Sequence, residues 1–112
     1  MRYNSVLDLH THTVASGHAY CSLREMAKAA SEKGLEVLGI TEHAPSMPGT
    51  CHKFYFNNLK VVPREMYGIQ LLLGSEVNIL DAQGTVDLGQ HTLSSMDVVI
   101  ASLHTPCKIG RA

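Results

Sequence analysis

The chain has 112 residues, of which 45% are hydrophobic and 17% charged, and its formal net charge at neutral pH is −1. A chain of this size and composition forms one globular domain with a core, and it is too short for two. The near-zero charge, with lysines and arginines scattered along the chain, argues against a nucleic-acid partner. No long apolar segment follows the N-terminus, so we expect no signal peptide, no membrane span and a cytoplasmic location.

The three cysteines, Cys21, Cys51 and Cys107, are predicted to be free thiols, because neither their number nor their spacing fits a disulfide scaffold. The alternative that one of them binds a metal stays open for Cys21 and Cys51, which lie closer in sequence to the histidines discussed next. Seven histidines are the unusual feature of the composition.

The first predicted element is a short strand that contains Val6, Leu7 and Leu9. Side chains two residues apart on a strand share a face, so His10 and His12 point the same way and can reach one metal ion. His18 follows on a flexible stretch that can turn back toward the same place. Taken alone, the His-x-His pair is equally well explained as polar residues at the end of a strand.

A helix is predicted next, because Ser22 and Glu25 have the spacing of a capping box and apolar residues then recur at helical spacing as far as about Lys33. The apolar run 37–41 is typical of a buried parallel strand, and strand, helix and strand together form a right-handed βαβ unit.

His43 ends this second strand, and a loop rich in proline and glycine follows that we expect to overhang the site. His52, within the loop, is either a solvent-exposed residue, which we favour, or a substrate contact. The aromatic run 54–56 is expected to anchor the loop to the core.

Two more strands are predicted in the second half of the chain. The third runs over 69–73, is interrupted at Gly74 and resumes over 76–80, where apolar neighbours bury Glu76 at least in part. A buried carboxylate needs a partner, which is a bound cation or, alternatively, a surface lysine or arginine. The fourth strand, buried, spans 97–103 and ends at His104. Residues 92–96 allow no more than a turn of helix, and His91 before them is expected on the surface.

The same chemistry thus recurs wherever a predicted strand ends, at His10, His12, His43, Glu76 and His104. Parallel α/β folds place their functional sites at the carboxyl ends of their strands. The pattern therefore predicts a metal site at that edge of the sheet.

Five ordered motifs carry a family resemblance: DLHTHT at 8–13, TVAS before His18, TEH at 41–43, the EVN run from Glu76, and ASLHTP at 101–106. Together they resemble the polymerase and histidinol phosphatase (PHP) superfamily. The stretches around His18 and over 58–64 are most similar to its YcdX-type bacterial phosphatases.

The resemblance implies an α/β fold with parallel strands, namely the N-terminal half of a distorted (β/α)7 TIM-like barrel. It also implies a trinuclear metal site, with zinc expected and manganese or iron as alternatives, that hydrolyses small-molecule phosphate esters. By the same resemblance His10 and His12 bind the first metal and Glu76 bridges it to a second that His104 also holds, which makes His10, His12 and Glu76 the predicted catalytic residues. His18 and His43 would bind the third metal, and Asp8 would orient a ligand.

The chain departs from the family pattern in two respects. Glu42 stands where an aspartate is common, and family members continue past residue 112 to supply further ligands. We therefore expect a truncated single domain over 1–112 that self-associates or pairs with a missing C-terminal half, since an open parallel sheet leaves an unpaired edge. The alternative function is a catalytically inactive metal-binding module with a structural or regulatory role.

Overall fold

A curled sheet of five strands, packed against short helices, forms a half-barrel. The computed structural model describes residues 3–107. The strands are β1 (Leu7–Thr11), β2 (Val37–His43), β3 (Glu65–Met66), β4 (Ile69–Asn78) and β5 (Val98–Ser102), and the helices are α1 (Leu23–Glu32), α2 (Lys53–Asn57) and α3 (Gln90–Ser94). Short 3-10 turns lie at Val14–Ser16 and Leu59–Val61.

Four of the strands are parallel and lie in the order β1, β2, β4, β5. The two-residue strand β3 pairs antiparallel with the start of β4, on the same edge that β5 occupies further along. The predicted α/β fold with parallel strands is confirmed, and the curled sheet has the form expected of the N-terminal half of a TIM-like barrel.

The core lies around the two central strands. Leu38 and Ile40 of β2 and Leu71 and Leu73 of β4 are at most 2% exposed. Alanines of α1 and Phe56 of α2 belong to the same buried cluster. Because both faces of β2 and β4 are covered, these strands consist of nearly continuous apolar residues, as parallel strands do.

Helix α1 begins at the predicted capping box. The Ser22 hydroxyl accepts a hydrogen bond from the Glu25 amide, and the Glu25 carboxylate accepts one from the Ser22 amide at 2.8 Å. These bonds satisfy two amides that a helix start leaves without partners, and they lower the pKa of Glu25. The helix ends at Glu32, one residue before the predicted end, and Gly34 follows in a left-handed conformation.

The third strand differs from its prediction because β4 is continuous through Gly74. Gly74 pairs with Val98 of β5, and a Cβ atom on Gly74 would lie only 1.6 Å from the Val98 carbonyl oxygen. Glycine is therefore needed here because the neighbouring strand approaches closely, and it does not mark a break in the strand.

The prediction that the fourth strand is buried is wrong. Exposed and half-buried residues alternate along β5, with Val99 42% exposed, and Leu103 just after the strand is 65% exposed. Within residues 3–107, β5 pairs with β4 alone, so its outer edge and part of its surface face solvent.

The aromatic run in the loop was only partly predicted. Phe56 is buried and anchors α2 to the core as expected, but Phe54 is 68% exposed. Neither α2 nor β3 was expected, because both are too short to show a periodic pattern. Among the described residues, no helix has the length and apolar character needed to cross a bilayer.

Replacing Gly74 with alanine is expected to lower the free energy of unfolding by about 1–3 kcal/mol, because the added methyl forces β5 away from β4. Urea unfolding followed by circular dichroism measures this. Gly89→Ala is the matched control, since nothing lies within 4 Å of a Cβ atom placed there. Equal unfolding midpoints for the two variants would contradict the close approach of β5.

Candidate metal centre

Glu76 lies at the centre of a cluster of imidazole rings and is itself only 3% exposed. Three ring nitrogens approach its Oε1 atom: His10 Nε2 at 3.0 Å, His12 Nε2 at 3.1 Å and His43 Nδ1 at 3.4 Å. His104 Nε2 lies 3.2 Å from Oε2. The structure thus brings together five of the six residues that the sequence predicts as metal ligands.

The strand order explains this convergence. His43 lies directly beside Glu76 in the β2–β4 pairing, and β5 runs alongside Glu76 on the other side before the chain reaches His104. Strand β1 lies next to β2 and presents His10 and His12 from its end. Four parallel strands therefore deliver their side chains to one edge of the sheet.

The ligand atoms form two groups that share Glu76. One group contains His10, His12 and Glu76, and the other contains His43, Glu76 and His104. Within each group the atoms lie within 4.8 Å of one another. The rings also stack, with the His12 and His43 centroids 4.3 Å apart and their planes 10° from parallel. Each group could hold a metal ion.

His18 lies near the cluster but belongs to neither group of described ligand atoms. Its Nε2 atom donates a hydrogen bond to the Pro48 carbonyl oxygen at 2.9 Å, and its ring centroid is 5.9 Å from that of His43. The role of His18 with His43 at a third metal stays a prediction.

Burial and mutual proximity set the charges of the cluster. Burial lowers the pKa of His12 by more than Glu76 raises it, and burial together with the neighbouring His12 lowers the pKa of His43. Burial raises the pKa of Glu76, but the nearby His10, Ser102 and His43 side chains outweigh it, and the net shift is downward. The lowered pKa values of His12 and His43 favour neutral rings, and the lowered pKa of Glu76 favours an ionised carboxylate, which are the protonation states that bind metal.

Two buried polar atoms test whether a cation fits. Among the described residues, His43 Nδ1 and Glu76 Oε1 have no partner in hydrogen-bond geometry, although they lie 3.4 Å apart. Unpaired buried polar atoms are costly, and a cation bound between them satisfies both. Imidazoles and a carboxylate are common ligands of divalent transition metals, so the residues present fit a metal centre.

The carboxylate of Asp8 acts on the backbone of the first strand. Its Oδ1 atom accepts a hydrogen bond from the His10 amide at 3.1 Å. This contact is with the main chain of a candidate ligand, and the role of Asp8 in orienting a ligand stays a prediction; Asp8 is exposed.

A second buried carboxylate, Glu42, was not predicted to organise the site. It is fully buried and accepts hydrogen bonds from the Thr13 amide at 2.8 Å, the Thr13 hydroxyl, the Ser16 hydroxyl at 2.7 Å and the Tyr55 hydroxyl at 3.3 Å. Burial raises the pKa of Tyr55, and the nearby Glu42 carboxylate raises it further, so Tyr55 stays a protonated donor. Glu42 thereby fixes the turn that follows His12. The sequence signal that could have identified Glu42 is its position inside an otherwise apolar strand.

The remaining histidines and cysteines lie away from the two ligand groups. His52 and His91 are exposed, as predicted, and the ring of His52 caps helix α2 by accepting a hydrogen bond from the Phe54 amide. His52 also lines an open cavity of about 500 Å³ beside the Val14–Ser16 turn. The three cysteines are free, as predicted, and burial raises the pKa of the Cys51 thiol.

Comparison with known proteins agrees with the geometry. The sequence profile of the PHP domain matches residues 8–110. A probable phosphatase of Clostridium novyi (strain NT) is 58% identical over 107 residues, which are 96% of this chain and 43% of that protein. Probable phosphatases of Caldanaerobacter subterraneus subsp. tengcongensis and Clostridium botulinum (strain Hall) are 50% and 52% identical over the same share of this chain. The chain thus spans less than half the length of these curated relatives.

Replacing Glu42 with glutamine is expected to lower the free energy of unfolding by about 1–3 kcal/mol, because an amide group cannot accept all four hydrogen bonds and leaves a buried donor unpaired. Chemical denaturation measures the change. The control is Glu36→Gln, at an exposed position, where we expect a change within about 0.5 kcal/mol. If both variants unfold at the same denaturant concentration, Glu42 does not hold the turn.

Proposed function

This chain belongs to the PHP domain family, and from that premise we propose that it forms the metal-binding part of a phosphatase that hydrolyses small-molecule phosphate monoesters. The observation that carries the proposal is the convergence of four imidazole rings on one buried carboxylate. The relatives named probable phosphatases support it, since they match nearly the whole of this chain.

The proposed cofactor is zinc, as two or three ions per site, with manganese and iron as the alternatives. Two groups of ligand atoms with Glu76 in common support at least a bridged pair. Imidazole nitrogens predominate among these atoms, which favours zinc over the oxygen-seeking magnesium and calcium. A bound divalent cation polarises a phosphoryl oxygen and lowers the pKa of a water molecule.

The side chains have separate roles in this proposal. His10 and His12 would hold one cation and His104 would hold a second, with Glu76 a ligand of both. By family resemblance His18 joins His43 at a third cation. Because neutral imidazoles supply most of the ligands and Glu76 only one negative charge, the loaded site keeps a positive charge that attracts a phosphate dianion.

We also propose that residues 1–112 form an incomplete single domain whose sheet is extended by other strands. Apolar side chains on the outer strands are exposed, with Leu7 50% and Val99 42% accessible, and the outer edges of β1 and β5 have no paired strand within residues 3–107. Unpaired strand edges recruit further strands. A second copy of this chain or a separate C-terminal half would supply them.

The proposal is tested by measuring the zinc content of purified protein and its hydrolysis of an aryl phosphate with added zinc or manganese. We expect about two zinc ions per chain, together with turnover. His10→Ala and Glu76→Ala should each reduce both quantities, because each removes a ligand atom. The control His91→Ala, at an exposed position in α3, should change neither.

Other results separate the alternatives. The inactive metal-binding module would be favoured if the chain alone retains zinc, shows no turnover and has the mass of a monomer in solution. Equal zinc loss in His10→Ala, Glu76→Ala and His91→Ala would refute the ligand assignment.

A further inference from the structure

Asn78 is fully buried at the end of β4, two residues beyond Glu76 and therefore on the same side of the strand. Its amide nitrogen lies 2.6 Å from Asp87 Oδ2 and 3.4 Å from the Ala44 carbonyl oxygen. Both neighbours accept hydrogen bonds only, so the NH₂ group of Asn78 must face them. The orientation of the carboxamide is thereby determined.

The oxygen of the same carboxamide lies 2.6 Å from His104 Nδ1. An amide oxygen accepts hydrogen bonds and cannot donate one, so Nδ1 of neutral His104 must carry the proton. The lone pair is then on Nε2, which is the atom that lies 3.2 Å from Glu76 Oε2. The hydrogen bond therefore leaves the nitrogen that faces the cluster free to bind a cation.

Asp87 is held in place from two directions. Its Oδ1 atom accepts a hydrogen bond from the backbone N–H of Asn78 at 2.8 Å, and its Oδ2 atom accepts one from the backbone N–H of Ser46 at 2.9 Å. These bonds join the loop that contains Asp87 to the end of β4 and to the loop after β2. The carboxylate is thus a fixed acceptor that keeps the side-chain carboxamide of Asn78 from flipping.

Ser16 makes the corresponding contacts at His12. Its hydroxyl donates its one proton to Glu42 at 2.7 Å and accepts the His43 amide at 2.9 Å, while His12 Nδ1 lies 3.3 Å away. Since the hydroxyl proton is already used, Ser16 can only accept from His12. A neutral His12 that donates from Nδ1 to Ser16 has its lone pair on Nε2, 3.1 Å from Glu76 Oε1, where a cation bound between the two atoms would remove their repulsion.

We propose that Asn78 and Ser16 are positioning residues that hold His104 and His12 in the Nδ1–H tautomer, with Asp87 and Glu42 orienting them. The tautomers themselves follow from the hydrogen bonds. Their purpose, which is to present Nε2 to a metal, rests on the proposed function. The Glu76 carboxylate favours a proton on the Nε2 atoms that face it, so a ring without its Nδ1 hydrogen bond would turn an N–H group toward the cluster. Partners of this kind are typically worth about 10–100-fold in metal affinity.

The test is long-range ¹H–¹⁵N NMR of the imidazole nitrogens in metal-free protein at a pH of about 8, above the ordinary pKa of histidine. Wild-type protein should show His12 and His104 as Nδ1–H tautomers. Asn78→Leu should move His104 to the Nε2–H form and leave His12 unchanged, whereas Ser16→Ala should do the reverse. Each variant is thus the control for the other.

Ser75→Ala is a further matched control, because Ser75 is as deeply buried as Ser16 but donates its hydroxyl to the backbone carbonyl of Glu42. It should change neither tautomer. In zinc titrations, Asn78→Leu and Ser16→Ala should each bind about 10–100-fold more weakly than Ser75→Ala.

The proposal is overturned if His12 or His104 of the wild-type protein carries its proton on Nε2, a result that needs no variant to fold. It is also overturned if folded Asn78→Leu and Ser16→Ala leave both tautomers unchanged. Because the tautomers are read in metal-free protein, failure of the phosphatase proposal would appear separately, as normal tautomers without zinc binding or turnover.

Discussion

The parallel pairing of β2 with β4 is the constraint on which the site depends. It places His43 beside Glu76, and the pairing of β4 with β5 then sets the path that leads to His104. Because side chains alternate between the faces of a strand, a slip of one residue would turn Glu76 away from the imidazoles. The apolar residues of both central strands resist such a slip, since Leu71 and Leu73 would lose their positions in the core. Core packing and site geometry are therefore specified together.

Two buried carboxylates, Glu76 and Glu42, lie near the carboxyl ends of the strands and have different surroundings and roles. Glu76 faces ring nitrogens that can bind a cation through their lone pairs. Glu42 faces hydroxyl and amide donors that satisfy it within the protein. A buried charge must have partners in either case. The first arrangement is suited to binding a ligand, and the second to holding a turn rigid so that His12 stays in place.

Much of the local structure follows from local residue patterns. The capping box at Ser22 and Glu25 marks the start of α1, and the apolar run 37–41 marks β2, because each signal depends on neighbours only a few residues away. Patterns failed where a distant strand decided the outcome. Gly74 lies inside a continuous strand because β5 approaches it, and β5 is exposed because no described strand pairs with its outer edge.

The sequence by itself determined which side chains could bind a metal and that parallel strands would end near one another, since residue type and strand periodicity are local properties. Only the tertiary structure decided how those side chains are grouped around Glu76 and which neutral residues orient them. Asn78 and Ser16 carry no signal of their own in the chain. Their importance comes from hydrogen bonds to residues that are close in space but distant in sequence. Asn78 contacts His104 and Asp87, and Ser16 contacts Glu42, because the strand order brings these residues together.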